Sequence, residues 1–452
     1  MKIVIVGCGK IGTTIISSLV SEKHNVVVVD NNPSALEEIT NIYDVMTVSG
    51  NGADYDTLIE SGTDKADMFV AVTGSDELNM LSCFLAKKMG ASYTVARIRN
   101  TEYNDKSLNF MRSQLDISLT INPEFLAAQE MFNILKLPVA VNIETFSRRN
   151  FEMVELLIKD SSAIAGMSLM ELKKKYSASF LVCAVRRGNN VFIPDGNFVL
   201  ESGDRIGVTA NSNEIQKLLK MWGIMQKQAR NIMILGASRT AYYLSKLLLA
   251  SGNNVKIIDV DLKKCNELSN ALPTAVVIHG DGAEQELLLE EGIESMDAFV
   301  SLTGMDEENI LIAFFASAQN VPKVIAKINR LELGDMAEKL GLETVISPKR
   351  TVSDVITRYA RALQNSLGSN IETLYKLMDD KIEAIEFNVQ SDFKYLNIPI
   401  KDMKLKEHIL IAGIIRKRKA IIPSGNDVFA AGDRVIVIAA SQNMDDLSDI
   451  IR

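Results

Sequence analysis

Gly7-Cys-Gly-Lys-Ile-Gly12 follows a short apolar run, Ile3–Val6, and opens a helical pattern carried by Ile11, Ile15, Ile16 and Leu19. Strand, glycine turn and helix in that order are the context a dinucleotide-binding fingerprint requires. Gly7 supplies the tight turn, Gly9 lets the backbone approach a pyrophosphate, and Gly12 lets the helix pack closely on the strand, with phosphates at the helix N-terminus. Asp30 ends the next apolar run, Val26–Val29, 23 positions after Gly7. A carboxylate there accepts the ribose hydroxyls and repels a 2′-phosphate, which favours NAD(H) or another adenosine nucleotide over NADP. The bland alternative is a turn that merely closes a strand–helix unit, with Asp30 as a helix cap. The spacing, and a second copy of it, argue against that.

The copy begins 229 residues later as Gly236-Ala-Ser-Arg-Thr-Ala241, and Val255-Lys-Ile-Ile-Asp259 repeats Val26-Val-Val-Val-Asp30 at the same distance. Gly50-Asn-Gly-Ala53 returns as Gly280-Asp-Gly-Ala283, and Thr73-Gly-Ser-Asp-Glu77 as Thr303-Gly-Met-Asp-Glu307. Further on, Ile193-Pro-Asp-Gly-Asn197 matches Ile422-Pro-Ser-Gly-Asn426, and Gly203-Asp-Arg205 matches Gly432-Asp-Arg434. So constant a register marks a tandem duplication. In each half, short β-rich runs alternating with helical patterns predict an α/β, Rossmann-like doubly wound parallel sheet. A small α+β module follows, with strands at Phe151–Ile158, Phe180–Arg186 and Arg205–Thr209 and a helix near Leu169–Tyr176. A long helical pattern, Thr351–Leu367, bridges the second pair. At ~150 residues per domain the length suggests roughly three units; the repeat makes it four, at 1–137, 138–222, 229–366 and 367–452.

The chain of 452 residues is 47% hydrophobic and 23% charged, ordinary for a soluble globular protein. Its 49 basic and 57 acidic residues give a net charge of −8, which argues against non-specific nucleic-acid or anionic-membrane binding. Four scattered cysteines and three histidines form neither a disulfide framework nor a zinc spacing. The first residues run straight into a strand, which leaves no room for a signal peptide, and no apolar stretch approaches the ~20 residues that span a bilayer. A cytoplasmic protein, reaching a membrane only through a partner, is expected.

The cofactor-binding candidates are Gly7, Cys8, Gly9, Lys10, Ile11 and Gly12 with Asp30, and Gly236, Ala237, Ser238, Arg239 and Thr240 with Asp259. In the second loop Ser238 replaces Gly9 and Ala241 replaces Gly12, so that site binds differently, weakly or not at all. Lys10 and Arg239 share a loop position from which a cation meets phosphates, a solvated cation being the alternative. Thr73, Gly74, Thr303 and Gly304 end the fourth strands, on the edge where such sheets bind ligands. Arg97 and Lys327 end the fifth strands on that edge, where phosphate contact is plausible. Asn51 and Asp281, in turns after the third strands, are weaker candidates. Asp76-Glu77 and Asp306-Glu307-Glu308 suggest a paired-carboxylate acid/base site, but read better as acidic first turns that complement helix dipoles.

Nothing supplies turnover. His24, His279 and His408 do not recur between the halves, Cys8 becomes Ala237, and no hydrolase, zincin or Walker pattern is present. Structural histidines and an unreactive cysteine are expected, and no enzyme. The basic hairpins Arg186-Arg187 and Arg416–Lys419 read as solvated or dimer-edge features rather than nucleic-acid contacts.

The glycine loop, Asp30, the loop after Ser49 and Lys65-Ala-Asp-Met-Phe-Val-Ala-Val-Thr-Gly-Ser-Asp-Glu-Leu-Asn-Met80 resemble the nucleotide-binding domains that regulate potassium conductance. Ile164-Ala-Gly-Met-Ser-Leu-Met-Glu-Leu172, Val185-Arg-Arg-Gly188 and Leu200-Glu-Ser-Gly-Asp204 resemble that family's C-terminal domain. Two such pairs in tandem are similar to the peripheral subunits of Trk-type potassium uptake systems. The resemblance implies NAD(H) and/or ATP/ADP as ligands, a homo-oligomer (dimer or tetramer ring), and a membrane-embedded potassium transporter as partner. It places the protein on the inner face of the membrane and implies gating through nucleotide-driven shape change, with Lys10, Arg239, Arg97 and Lys327 sensing a γ-phosphate. An NAD-dependent oxidoreductase with a duplicated cofactor domain is the alternative, and a scaffold that binds nothing is a third.

Overall fold

The apolar runs heading each half become central strands because helices cover both faces of a parallel sheet, so that successive residues are all buried. The computed structural model describes residues 1–101, 103, 105–146, 151–160, 162–176, 179–224, 228–366, 371–378, 381–417, 419–440, 444 and 446–452. The first sheet is built from β1 (Lys2–Val6), β2 (Asn25–Asp30), β3 (Met46–Ser49), β4 (Met68–Ala71), β5 (Tyr93–Arg97) and β6 (Leu119–Ile121). Its order is β3-β2-β1-β4-β5-β6, and β1 runs parallel to both β2 and β4. The order reverses between β1 and β4, which opens a crevice at their carboxyl ends. Its helices are α1 (Lys10–Ser21), α2 (Pro33–Ile42), α3 (Tyr55–Glu60), α4 (Asp76–Met89), α5 (Asp105–Gln114) and α6 (Pro123–Lys136).

The first small module holds β7 (Ala140–Phe146), β8 (Phe151–Leu157), α7 (Leu169–Lys175), β9 (Phe180–Arg187), β10 (Asn190–Phe192), β11 (Arg205–Ala210) and α8 (Ser212–Met221). Its sheet has the order β10-β9-β11-β8-β7, with β7 at an edge.

The second half repeats both. Its parallel sheet contains β12 (Asn231–Leu235), β13 (Asn254–Asp259), β14 (Val276–His279), β15 (Ala298–Ser301), β16 (Lys323–Lys327) and β17 (Val345–Ile346). The order β14-β13-β12-β15-β16-β17 copies the first. The helices are α9 (Arg239–Ala250), α10 (Leu262–Ala271), α11 (Gln285–Glu290), α12 (Asp306–Ala318), α13 (Leu331–Lys339) and α14 (Pro348–Ser366). The second small sheet has β18 (Ile371–Leu377), β19 (Ile382–Asn388), β20 (Ile409–Arg416), β21 (Lys419–Ile421) and β22 (Arg434–Ala439). α14 starts a turn earlier than its apolar pattern suggests, because Pro348 suits the first helical position; residue 367, its expected end, lies outside the described residues.

The halves exchange helices. α6 follows the first sheet but packs on α9, where Met131, Phe132 and Leu135 join Ile232, Leu244 and Leu248 in one core. α14 follows the second sheet but packs on α1, where Val352, Ile356, Ala360 and Leu363 join Ile15, Ile16 and Leu19. Burying Val352, Ile356 and Leu363 alone contributes roughly 5–9 kcal/mol, at ~1.5–3 kcal/mol each. The small modules also meet face to face, with Phe146, Phe151 and Met153 against Tyr375, Ile436 and Ile438. Gly413 is required there, since a Cβ would come within 2.6 Å of the Phe151 ring.

Candidate functional site

Each glycine loop is a strand end turned sharply into a helix. Gly7 has φ +100°, and a Cβ on Gly12 would lie 2.0 Å from the Gly7 carbonyl oxygen, so strand and helix meet backbone to backbone. A Cβ on Gly9 would meet no protein atom within 4 Å; it would enter the crevice. Gly9 is the N-cap of α1 and makes no side-chain cap, so the first N–H groups of this helix stay open to an anion. The second loop has closed that position. Ser238 is the N-cap of α9, and its Oγ accepts from the Ala241 N–H at 3.3 Å.

Asp30 binds backbone with both oxygens: Oδ2 accepts from Cys8 N at 2.8 Å and Oδ1 from Asn32 N at 2.9 Å. It therefore ties β2 to the glycine turn, and the cap of α2 is Asn32, not Asp30. Each oxygen retains a further lone pair for a ribose hydroxyl. Asp259 repeats the pattern, accepting from Ala237 N and, at 2.7 Å, from Asp261 N.

At the next strand ends, a buried asparagine organises the edge. Asn79 Oδ1 accepts from Thr73 N and Thr73 Oγ1, both at 2.8 Å, and its Nδ2 donates to the Arg97 carbonyl at 2.9 Å. Arg97 in turn donates to the Thr73 carbonyl. Asn309 does the same for Thr303 and Lys327, and Lys327 Nζ donates to the Leu302 carbonyl at 3.3 Å. Asp76 and Asp306 do more than complement a dipole. Asp76 Oδ2 accepts from Arg99 N and Asn100 N, and Asp306 accepts from Asn329 N and Arg330 N, so each clamps the loop after the fifth strand.

These edges converge on one cleft of about 820 Å³ between the halves. The first half lines it with Gly7, Gly9, Lys10, Ile11, Asp30, Asn51, Thr73, Gly74 and Arg97. The second half lines it with Ser238, Arg239, Thr240 and Lys327, although the sequence assigns these to a separate site. Cys8, Gly12, Gly236, Ala237, Asp259, Asp281, Thr303 and Gly304 do not line it. The cleft thus has a strand-end carboxylate, Asp30, from the first half only, and basic side chains from both.

Its electrostatics are those of an anion site. Lys10, Arg97, Arg99, Arg239, Lys327 and Lys349 face Asp30 and Glu124. Burial, then Arg99 close by, holds the Arg97 pKa below its ordinary value, and its Nε has no hydrogen-bond partner among the described residues. Burial lowers Lys327, and burial followed by Lys10 lowers Lys349. Arg99 pairs with Glu124 at 2.5 Å. The sequence reading missed Asn79, Asn309, Arg99, Glu124 and Lys349. A signal existed for some: Asn79 and Asn309 recur 230 residues apart, and Pro123-Glu124 and Pro348-Lys349 begin equivalent helices.

The remaining reactive groups are quiet. Burial and the adjacent Asp30 push the Cys8 thiol up to about 12. His24 is buried with its pKa lowered to about 4 by desolvation and the N-terminal amine, and His279 Nε2 contacts the Val260 carbonyl at 3.0 Å. Among the described residues no cluster of His, Cys, Asp or Glu is arranged to hold a metal, and no helix is long and apolar enough to cross a membrane. The basic hairpins differ from the solvated picture. Arg187 pairs bidentately with fully buried Asp204, and Arg416 with Asp433.

Fold and cleft together define a duplicated Rossmann-type protein whose two halves line one cleft rich in basic side chains. The TrkA-N domain family matches residues 3–122 and 232–348, and the TrkA-C domain family matches 153–222 and 384–452. The chain belongs to the TrkA family. It is 28% identical to the Trk system potassium uptake protein TrkA homolog of Archaeoglobus fulgidus over 100% of both chains. It is 31% identical to TrkA homolog 1 of Methanosarcina mazei over 97% of each, and 30% identical to TrkA of Vibrio alginolyticus over 98% of this chain and 96% of that one. Among solved structures, the GsuK RCK domain superposes with a TM-score of 0.63 at 18% identity, covering 97% of this chain and 92% of that one. The GsuK channel bound to NAD gives 0.62 at 18% identity, covering 97% and 77%.

Proposed function

We propose that this protein is the nucleotide-sensing regulatory subunit of a Trk-type potassium uptake system. It binds NAD(H) and/or ATP/ADP in the cleft between its halves and gates a membrane-embedded potassium transporter, on whose cytoplasmic side it assembles as a homo-oligomeric ring. The observation that carries this reading is the open N-terminus of α1 at Gly9, flanked by Asp30 and faced by Arg239 and Lys327 from the other half. A phosphate seated there touches both halves, so its charge sets how they sit. A ligand shifts such an arrangement only by its differential affinity for two shapes, and ~1–3 kcal/mol suffices for useful regulation. The relatives' names, and a channel of this fold bound to NAD, support the reading.

The test is thermal-shift titration with NAD, NADH, NADPH, ATP and ADP, followed by reconstitution with a potassium transporter. A ligand at 100 times its Kd adds about 2.7 kcal/mol. Selective stabilisation by NADH or ATP, with nucleotide-dependent potassium flux and no consumption of NADH, is expected. No shift with any nucleotide overturns the proposal and leaves a scaffold.

A further inference from the structure

The two nucleotide-binding sheets differ at the first residue of their fifth strands. In the first, Tyr93 is 37% exposed and sits edge-on to Tyr359. In the second, the equivalent Lys323 is 1% exposed. Its Nζ donates to the Ala140 carbonyl at 2.7 Å and bonds the Thr344 hydroxyl at 2.8 Å. Ala140 begins β7, the edge strand of the first small module. One side chain of the second nucleotide sheet is therefore fastened to the backbone of a different unit.

Among the described residues no ion pair accompanies this amine. The charged groups whose fields reach it are Glu343 on the loop before β17, Lys159 after β8 and Arg205 on β11. Glu343 is already paired with Lys159 at 2.6 Å, while Arg205 is paired with Glu338 of α13 at 3.1 Å and lies 3.8 Å from Glu155 of β8. A buried ammonium without a carboxylate is costly. A neutral amine still donates to Ala140 and accepts from the Thr344 hydroxyl, so both bonds survive loss of the proton.

We propose that Lys323 is a proton-responsive pin between the second nucleotide-binding sheet and the first small module: the neutral amine holds the junction closed, and protonation loosens it. Burial lowers its pKa to about 7. Once the junction opens, the amine meets water and regains its ordinary pKa, so opening takes up a proton. By linkage, opening becomes about tenfold more frequent as pH falls from 8 to 6. The inference stands apart from the nucleotide cleft, since Lys323 does not line it.

Backbone hydrogen exchange of the full-length protein, read by mass spectrometry at pH 6 and 8 and corrected for intrinsic rates, tests it. Peptides covering β7 and β16 are expected to exchange about tenfold faster at pH 6, while β5, with Tyr93, does not respond. Lys323→Met removes the difference and keeps the nucleotide thermal shift. Equal corrected rates in the wild type overturn the proposal, as does an unchanged difference in Lys323→Met. Should that variant not fold, Lys323→Arg stays charged and is expected to exchange fast at both pH values; a surviving pH difference there also overturns it.

Discussion

The Ser238 hydroxyl accepts from the Ala241 N–H at 3.3 Å, and this bond closes in α9 the position that Gly9 leaves open in α1. The second loop caps itself; the first waits for an anion. Gly9→Ser carries the cap across. Because a Cβ at Gly9 meets no protein atom within 4 Å, the fold accepts it, and α1 gains a few tenths of a kcal/mol. Nucleotide affinity is expected to fall about tenfold or more, as the cap competes for the N–H groups that phosphate needs. Calorimetric titration beside a urea melt reads both. Unchanged affinity places the phosphates elsewhere.

Arg239 belongs to the second half but lines the same cleft as Gly9 and Asp30 of the first. Arg239→Ala is expected to weaken nucleotide binding about tenfold, or ~1.4 kcal/mol, and Lys10→Ala with Arg239→Ala to erase preference between ATP and ADP. Asp259→Ala, outside the cleft, leaves that binding intact. Equal effects of Arg239→Ala and Asp259→Ala would point to two independent sites.

Asp30→Asn keeps an acceptor but removes the charge that repels a 2′-phosphate. We expect NADH to lose affinity and NADPH to gain it, so that their ratio narrows in a direct titration. A ratio that stays as in the wild type removes Asp30 from ribose recognition.

His24 is held neutral, with a folded pKa of about 4 against an ordinary value near 6.5. The unfolded chain therefore binds the extra proton first. Stability from this group is complete above about pH 6.5 and is lost as pH falls toward 4, by up to about 3 kcal/mol. His24→Leu is expected to flatten the melting temperature over that window, since Nε2 has no partner to lose among the described residues. A slope unchanged by the substitution assigns the acid sensitivity to other groups.

Arg187 grips Asp204 with two hydrogen bonds of 2.8 Å, and Asp204 is fully buried. Removing one partner of such a pair costs roughly 3–5 kcal/mol, because the other is left uncompensated. Arg187→Ala, which strands the buried Asp204 carboxylate, is expected to destabilise in that range in urea, and Arg187→Ala with Asp204→Ala by less than the sum of the two single substitutions. Strict additivity would show that the pair does not interact.

The glycine loops, Asp30 and the central strands were legible because they are local: a turn, a spacing and an apolar run each carry their own physical requirement. The duplication was legible because register survives divergence. The convergence of Arg239 and Lys327 on the first site was not, because it depends on how two halves dock. An apolar stripe such as Val352, Ile356, Ala360 and Leu363 states that a helix is buried without saying against what. Asp76 does sit in a first helical turn, and its further role was hidden for a different reason. An acid in a first helical turn already has a sufficient explanation, which hid its bonds to the backbone of Arg99 and Asn100.

The helix that covers α1 is α14, and the ribosome reaches it only after both parallel sheets have been made. When β6 completes the first parallel sheet at Ile121, roughly 230 residues remain before Pro348 opens its cover, tens of seconds of synthesis at ~5–20 residues per second. Throughout that interval the nascent first half presents an apolar α1 face to the cell. The finished protein is knitted so that neither half is complete without the other, and the same knitting gives the growing chain a long window in which that face has not yet met the helix that covers it.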